Sequence, residues 1–317
     1  MTKKRHHYLP EFYLDGFVNP HNGPYMWVYE KGDPKIRKAS VKDVAVQKHY
    51  YSFVTPEGQK DSETFENFLA FIENNVAPVF QKIKKQEILS EEERSWFAIF
   101  LASLVTRVPN FRESIEESAA EVIRRINLKM ASDTEGFKSM IRNFENETGS
   151  KVNLPIEDLQ KFILDGKYKI KVDPQFSLSM MTLINDFSPI FHKMNWTIFI
   201  SDDHKFVTSD NPLFYNDPTH DPRSPFGVGF LSKNIRLTFP VTKELALLAT
   251  WSRGKDFYSR ATNKLVRATN RRTIQSALKF IFSSEKSDGL NNLVQKYRET
   301  SPRLRLISED RIILTVK

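Results

Sequence analysis

Cysteine is absent from the 317-residue chain, which removes disulfides, thiolate metal ligands, thiol nucleophiles and iron–sulfur clusters from consideration. A metal ion would have to be held by His, Asp, Glu or carbonyl oxygen, donors that suit Mg²⁺ or Mn²⁺ as a catalytic ion. Long apolar runs are missing as well. The longest, Trp96–Val105, is interrupted by Ser103 and flanked by Arg94 and Arg107, far short of the roughly 20 residues that cross a bilayer. The basic opening residues lead into no apolar segment of the signal type. A cytoplasmic protein with no membrane partner is therefore expected. Also absent is any recognised nuclease spacing, such as a paired acid followed by Glu-x-Lys.

What the chain has in quantity is aromatic and basic. A hydrophobic fraction of 40% with 25 Phe supports a packed globule. Forty-seven Lys and Arg against 39 Asp and Glu give a net charge of +8, which favours nucleic acid or another phosphate-bearing ligand as partner.

The periods divide the chain into β-rich ends around a helical middle. Tyr25–Glu30 and Lys35–Ala39, split by Lys31-Gly32-Asp33-Pro34, read as a hairpin, and His49–Val54 as a third strand. From Ser62, a candidate N-cap, the residues Phe65, Phe68, Leu69, Ile72, Val76, Phe80 and Ile83 form one helical stripe. Ser90-Glu91-Glu92-Glu93 supplies a capping box, and Trp96–Val105, apolar nearly all round, reads as a central buried helix. Ala119–Glu147 reads as an exposed amphipathic helix contributing to the positive field, and helices are expected over Pro155–Gly166 and Pro174–His192. Asn195–Asn211 reads as a central hairpin, its strands Trp196–Ile200 and Lys205–Thr208 joined by a polar turn and ending at Pro212. Arg236–Pro240 with Leu245–Thr250, and Arg303–Ile307 with Arg311–Val316, suggest further hairpins. A helix is expected through Ile274, Ala277, Leu278 and Ile281, with Asn270 one turn earlier on its buried stripe. The expected fold is a single α+β domain over residues 1–317. Its N- and C-terminal segments join a mainly antiparallel sheet, and the helical block of about 55–192 packs to one side.

Candidate chemistry lies where polar residues interrupt apolar surroundings. His7 stands before a short apolar helix started by Pro10. Glu66 and Glu73, seven apart, return to one direction of their helix within about 20° and could look into one cavity. Arg107 and Arg112 follow a buried helix and are candidate anion binders, or members of structural ion pairs. Ser209-Asp210-Asn211 ends a strand before Pro212, free for other partners or closing an Asx turn. Asp217, His220 and Asp221 in a loop could hold a metal or simply solvate the turn.

His7-Tyr8-Leu9-Pro10-Glu11-Phe12-Tyr13-Leu14-Asp15-Gly16-Phe17 resembles the opening HYxPxFYLxxF signature of a bacterial family catalogued as domain of unknown function 4238. Tyr29-Glu30-Lys31, Ala45 with Tyr50-Tyr51, Glu66 with Glu73, Arg107-Val108-Pro109 with Arg112, Ser209-Asp210-Asn211-Pro212, Phe239-Pro240-Val241 and Asn270 with Ala277 are similar to its later blocks, in order. The departures are Val241-Thr242 where Leu-Ser is expected and Val108 where Thr is usual. The resemblance implies one shared module spanning nearly the whole chain and imports no activity.

Two functions fit these residues. In the first, the chain is a phosphodiesterase or nuclease of a defence or toxin type. His7 is then a general base or metal ligand, Asp210 with Glu73 binds Mg²⁺ or Mn²⁺, Arg107, Arg112 and Ser209 hold the substrate phosphate, and Asn211 and Asn270 complete the catalytic set. His7 and Asp210 would then share a pocket. In the second, the chain is a non-catalytic nucleic-acid-binding or sensor module, and the same residues form a structural polar network. The basic surface in either case is expected over Arg112–Lys138.

Overall fold

The computed structural model describes residues 5–55, 57–221, 223–224, 227–252, 257–300, 304–307 and 313–316. A short strand β1 (Arg5–His7) runs through Leu9-Pro10 into the single turn α1 (Glu11–Leu14), whose start is set by Pro10 in an extended conformation. Strands β2 (Tyr25–Glu30) and β3 (Asp33–Ser40) form the expected hairpin, with Glu30 opposite Asp33. Gly32 closes it at φ +85, where any side chain would be strained. The strand expected over His49–Val54 is reduced to Phe53–Val54, and a separate short strand precedes it. β4 (Val46–Lys48) pairs with β1, and β5 (Phe53–Val54) pairs with β6 (Lys60–Asp61). His49, at φ +55, breaks the extended chain between them.

The helical block comprises α2 (Thr64–Lys84), α3 (Glu91–Arg107), α4 (Pro109–Ser132), α5 (Thr134–Thr148), α6 (Ile156–Leu164), α7 (Pro174–Ser179) and α8 (Ile184–Lys193). α2 is capped by Asp61 rather than Ser62: its Oδ1 accepts the Glu63 and Thr64 N–H groups, both at 2.9 Å. The capping box at α3 is present in full, Ser90 Oγ accepting the Glu93 N–H and Glu93 Oε2 accepting the Ser90 N–H. Because α3 is apolar on nearly all sides, it becomes the centre of the block, packed against α2 and α8. The helix expected over Pro174–His192 is interrupted by a 3-10 turn at Met180–Leu183.

The second half supplies β7 (Asn195–Ile200), β8 (Thr208–Ser209), β9 (Phe214–Asn216), β10 (Arg236–Pro240), β11 (Leu245–Thr250), β12 (Tyr258–Arg260), α9 (Asn263–Ser276), β13 (Phe280–Ser283), α10 (Asp288–Lys296), β14 (Leu304–Ile307) and β15 (Ile313–Val316). The fold is α+β. A five-stranded sheet has the order β12-β7-β11-β10-β9, antiparallel except where β12 runs parallel to β7. A four-stranded antiparallel sheet has the order β3-β2-β13-β8. N- and C-terminal segments thus meet in the smaller sheet, while the second half builds the larger one. β14 and β15 pair as expected, with residues 303, 311 and 312 of that hairpin outside the described ones.

The central hairpin is corrected. β7 lies inside the larger sheet between β11 and β12, whereas β8 pairs with β13 in the smaller one. The intervening N–H groups go elsewhere: Phe206 donates to the Lys243 carbonyl at 2.7 Å, and Val207 donates to Asn270 Oδ1 at 3.0 Å. The Asn195–Asn211 stretch is therefore the bridge between the two sheets. The last expected helix is also shortened, since α9 ends at Ser276 and Ile281 belongs to β13.

The main core lies between the larger sheet and α2–α3. Tyr13 stacks on Phe239 at 5.2 Å, and Phe80 meets Phe100 edge-on at 5.3 Å. The Tyr13 hydroxyl, buried with them, donates to the Pro240 carbonyl at 2.9 Å and lies 2.6 Å from Thr208 Oγ1, tying α1 to both sheets. Among the described residues no helix is long and apolar enough to cross a membrane.

Candidate functional sites

The β1–α1 junction and α2 enclose a cavity of about 260 Å³ whose wall includes His7, Glu11, Glu66 and Glu73. Glu66 and Glu73 reach it together because two turns of helix return them to one face. His7 Nε2 lies 3.4 Å from Glu11 Oε1. Beneath this wall sits Arg107, 1% exposed. Its Nε donates to the Tyr8 carbonyl at 2.8 Å, and its Nη2 donates to Glu73 Oε1 at 2.9 Å and to the His7 carbonyl at 3.4 Å. Burial works against the guanidinium charge, but Tyr51 and Glu73 outweigh it and hold the pKa above the ordinary arginine value. Arg107 is thus spent largely on carbonyls of the β1–α1 junction. The neighbouring His6 is fully buried and structural, its Nδ1 accepting the Tyr51 N–H at 2.9 Å.

The Ser209-Asp210-Asn211 tip is a main-chain clamp. Asp210, 2% exposed, accepts the Leu278 N–H on Oδ1 at 2.8 Å, and the Lys279 and Phe280 N–H groups on Oδ2 at 2.7 and 2.8 Å. Burial pushes its pKa up to about 6, against the pull of those three donors and of Lys31. Ser209 Oγ accepts the Asn211 N–H at 3.2 Å, and Asn211 Nδ2 donates to the Ser276 carbonyl at 2.9 Å. Asn270 accepts the Val207 N–H and donates to the Lys205 carbonyl at 2.9 Å. These residues lace the bridge between the sheets to α9 and to the start of β13. Arg112 is likewise spent on structure, donating to the Tyr50 carbonyl at 2.5 Å and to Ser177 Oγ at 3.2 Å, with its guanidinium 4.3 Å from the Tyr50 ring centre.

The structure therefore does not bring the expected set together. His7, Glu66 and Glu73 share a cavity with Arg107 behind it. Asp210, Asn211, Ser209 and Asn270 form a separate network, and Asp210 is not part of the His7 cavity wall. Of the expected Asp210–Glu73 metal pair, the Asp210 oxygens accept backbone N–H groups and Glu73 Oε1 accepts from Arg107. Among the described residues no group of three or more His, Asp or Glu is placed to hold a metal ion. In the loop after β9, Asp217 accepts from Thr219 and Asp221 from Arg223.

The basic surface is not where the sequence reading put it. α4 and α5 together carry six Lys and Arg against seven Asp and Glu. Arg124 and Arg125 both close on Glu121, whose pKa falls to about 2 chiefly through the Arg124 hydrogen bond. The uncompensated charge lies on α9. From 257 to 284 there are six basic residues and no acid. Arg260 pairs with Asp202 and Lys279 with Glu30. Lys264, Arg267, Arg271 and Arg272 have no acidic partner among the described residues, and the first three are exposed on one helical face. Arg272 is half-buried beside Arg236, and burial together with that like charge lowers its pKa. The absence of acid over 28 residues was the signal in the sequence that pointed here.

A family described as "Protein of unknown function (DUF4238)" matches residues 5–287. The chain belongs to this family. No curated protein and no solved structure matches it. The DUF4238 match covers the His7 cavity, the Asp210 clamp and the whole of α9, and its description assigns no chemistry to any of them.

Proposed function

We propose that this DUF4238 protein is a cytoplasmic nucleic-acid-binding protein in which Asp210, Asn211, Asn270 and Arg112 hold the fold and α9 meets phosphates. One observation carries the reading: Lys264, Arg267 and Arg271 line an exposed face with no acidic partner among the described residues, continued by Arg272 and Arg236. Such a stripe retains its full charge for a polyanion, whereas the paired arginines of α4 do not. Each phosphate neutralised on duplex DNA adds about 0.9 to the steepness of log affinity against log salt, so three to five contacts give a slope of about −2.7 to −4.5. The test is fluorescence anisotropy with duplex DNA and with RNA across a salt series. Replacing Arg267 and Arg271 with Gln should flatten the slope by about 2. An unchanged slope, or no binding at low salt, would reject the reading.

A second reading is favoured by one feature, the placement of His7 with Glu66 and Glu73 around the 260 Å³ cavity. It supports a hydrolase in which His7 moves a proton and the carboxylates orient it or an attacking water. Nuclease activity abolished by His7→Ala in a folded protein, and retained in Arg267→Gln/Arg271→Gln on short substrates, would favour it. The Mg²⁺ or Mn²⁺ form of this reading requires that chelator remove the activity without unfolding the protein.

A further inference from the structure

A second cavity, of about 470 Å³, opens where α4 begins, α9 ends and β9 passes between them. Its size falls within the range of small-molecule sites. The walls include the rings of Phe111, Phe214 and Tyr215, with Val105, Val108 and Leu213 completing the apolar lining. Polar side chains, among them Ser114, Asn216 and Gln275 and the ionisable Asp217 and His220, interrupt that lining. Ser114 is 4% exposed, and its buried Oγ has no hydrogen-bond partner. The buried Oδ1 of Asn216 also lacks one. Buried polar atoms in native proteins are nearly always satisfied, so two such atoms on one cavity wall point to a ligand that supplies their partners.

The chemistry of that ligand follows from what surrounds it. The interior offers aromatic faces, amides, hydroxyls and the Asp217 carboxylate, which suit a planar heteroaromatic ring with edge donors and acceptors. The N-terminus of α4 and the C-terminus of α9 bring opposite ends of two helix dipoles to the same cavity, and Asp217 and His220 stand on its wall, so a free anion is not favoured inside. Positive charge sits next to it instead. Arg236 is the strand partner of Asn216, and Arg272 lies one helical turn before Gln275 and Ser276. Neither arginine has an acidic partner among the described residues, and they lie close enough to repel. Two arginines side by side with no acidic partner among the described residues have the donors that a phosphate accepts from.

We propose that this cavity binds a nucleoside phosphate, with its base among Phe111, Phe214 and Tyr215 and its phosphate on Arg236 and Arg272. This goes beyond the reading of α9 as a nucleic-acid face and shares only those two arginines with it. The phosphate group could belong to a free nucleotide or to the end of a strand.

Calorimetric titration with the four ribonucleoside 5′-monophosphates, the corresponding nucleosides and inorganic phosphate tests the proposal on the full chain. At least one monophosphate should bind 10-fold or more tightly than its nucleoside and than inorganic phosphate. Ser114→Leu, which fills the cavity, should abolish nucleoside and nucleotide binding alike. Ser114→Ala, which leaves the packing intact, should weaken both several-fold, so the proposal does not depend on the larger variant folding. Arg236→Gln/Arg272→Gln should bring the nucleotide down to the affinity of the nucleoside. Monophosphates that fail to bind, bind Ser114→Ala as they bind wild type, or are matched by inorganic phosphate would overturn the proposal. A 5′-phosphorylated oligonucleotide that competes identifies a strand end, and one that does not identifies a free nucleotide; either result supports the assigned chemistry. Arg267→Gln/Arg271→Gln should lose duplex binding and keep the monophosphate, so failure of this inference and failure of the nucleic-acid reading can be told apart.

Discussion

Replacing Asp210 with alanine decides whether that residue is an architectural or a chemical group. The carboxylate accepts three backbone N–H groups within 2.8 Å, those of Leu278, Lys279 and Phe280, at the point where α9 hands over to β13. Alanine leaves all three donors without an acceptor. A buried donor left unsatisfied costs about 1–3 kcal/mol. Lys279 is exposed, and Leu278 and Phe280 are only half-buried, so water recovers part of the loss. The lower end of the range then applies, about 3–4 kcal/mol in total. That is a large share of the roughly 5–15 kcal/mol that holds a domain folded. Urea unfolding followed by tryptophan fluorescence should show the midpoint falling with little change in slope. Binding or activity per folded molecule should be unchanged. A loss below about 1 kcal/mol, accompanied by complete loss of function in a folded protein, would refute the architectural assignment.

The same residue sets a pH dependence. With its pKa raised to about 6 from 3.8, Asp210 binds a proton more readily in the folded state than in the unfolded one. The proton-linked part of its contribution is therefore complete below pH 3.8, shrinks as pH rises and is gone above about 6, a change on the order of 3 kcal/mol that leaves the three N–H bonds in place. The difference between wild type and Asp210→Ala should be larger at pH 4 than at pH 7, and parallel stability curves would contradict it. Arg107→Ala should cost about 3–5 kcal/mol by stranding Glu73 and two junction carbonyls, measured by the same unfolding assay. Arg107→Lys should recover little, because one ammonium cannot replace a fork that reaches Tyr8, His7 and Glu73 together; full recovery would show that charge alone matters there.

What was legible in the sequence was local or periodic. The Ser90–Glu93 capping box, the burial of α3 and the β2–β3 and β10–β11 hairpins each depend on residues within a few positions of one another. The convergence of Glu66 and Glu73 on one cavity follows from helical period alone. Partner choice was not legible. Trp196–Ile200 and Lys205–Thr208 have the pattern of two strands joined by a turn, and alternation says which face is buried without saying which strand lies alongside. Here β8 finds its partner in β13, more than 70 residues later, and the turn that looked like a hairpin tip is a crossing between sheets. Charge was misplaced for a related reason. Arg124 and Arg125 count as positive in composition, but Glu121, three and four residues earlier on the same helix, neutralises them.

His7 and Asp210 looked alike in the sequence, since each is a polar residue beside apolar chain, and such a residue signals a bond without naming its partner. The partners separate them. Three main-chain N–H groups meet the Asp210 oxygens, so the carboxylate replaces a missing ladder and most of its acceptor capacity is used by the fold. His7 gives its carbonyl to Arg107 and leaves its ring on a cavity wall. The same distinction applies to the arginines: Arg112 and the Nε and Nη2 of Arg107 are held by protein groups, with the buried Arg107 Nη1 left over, while Arg267 and Arg271 face solvent with no acidic partner among the described residues. Function in this protein is accordingly to be sought in groups whose bonding capacity the fold has not used. By that criterion the α9 face and the Ser114 cavity rank ahead of the Ser209-Asp210-Asn211 tip.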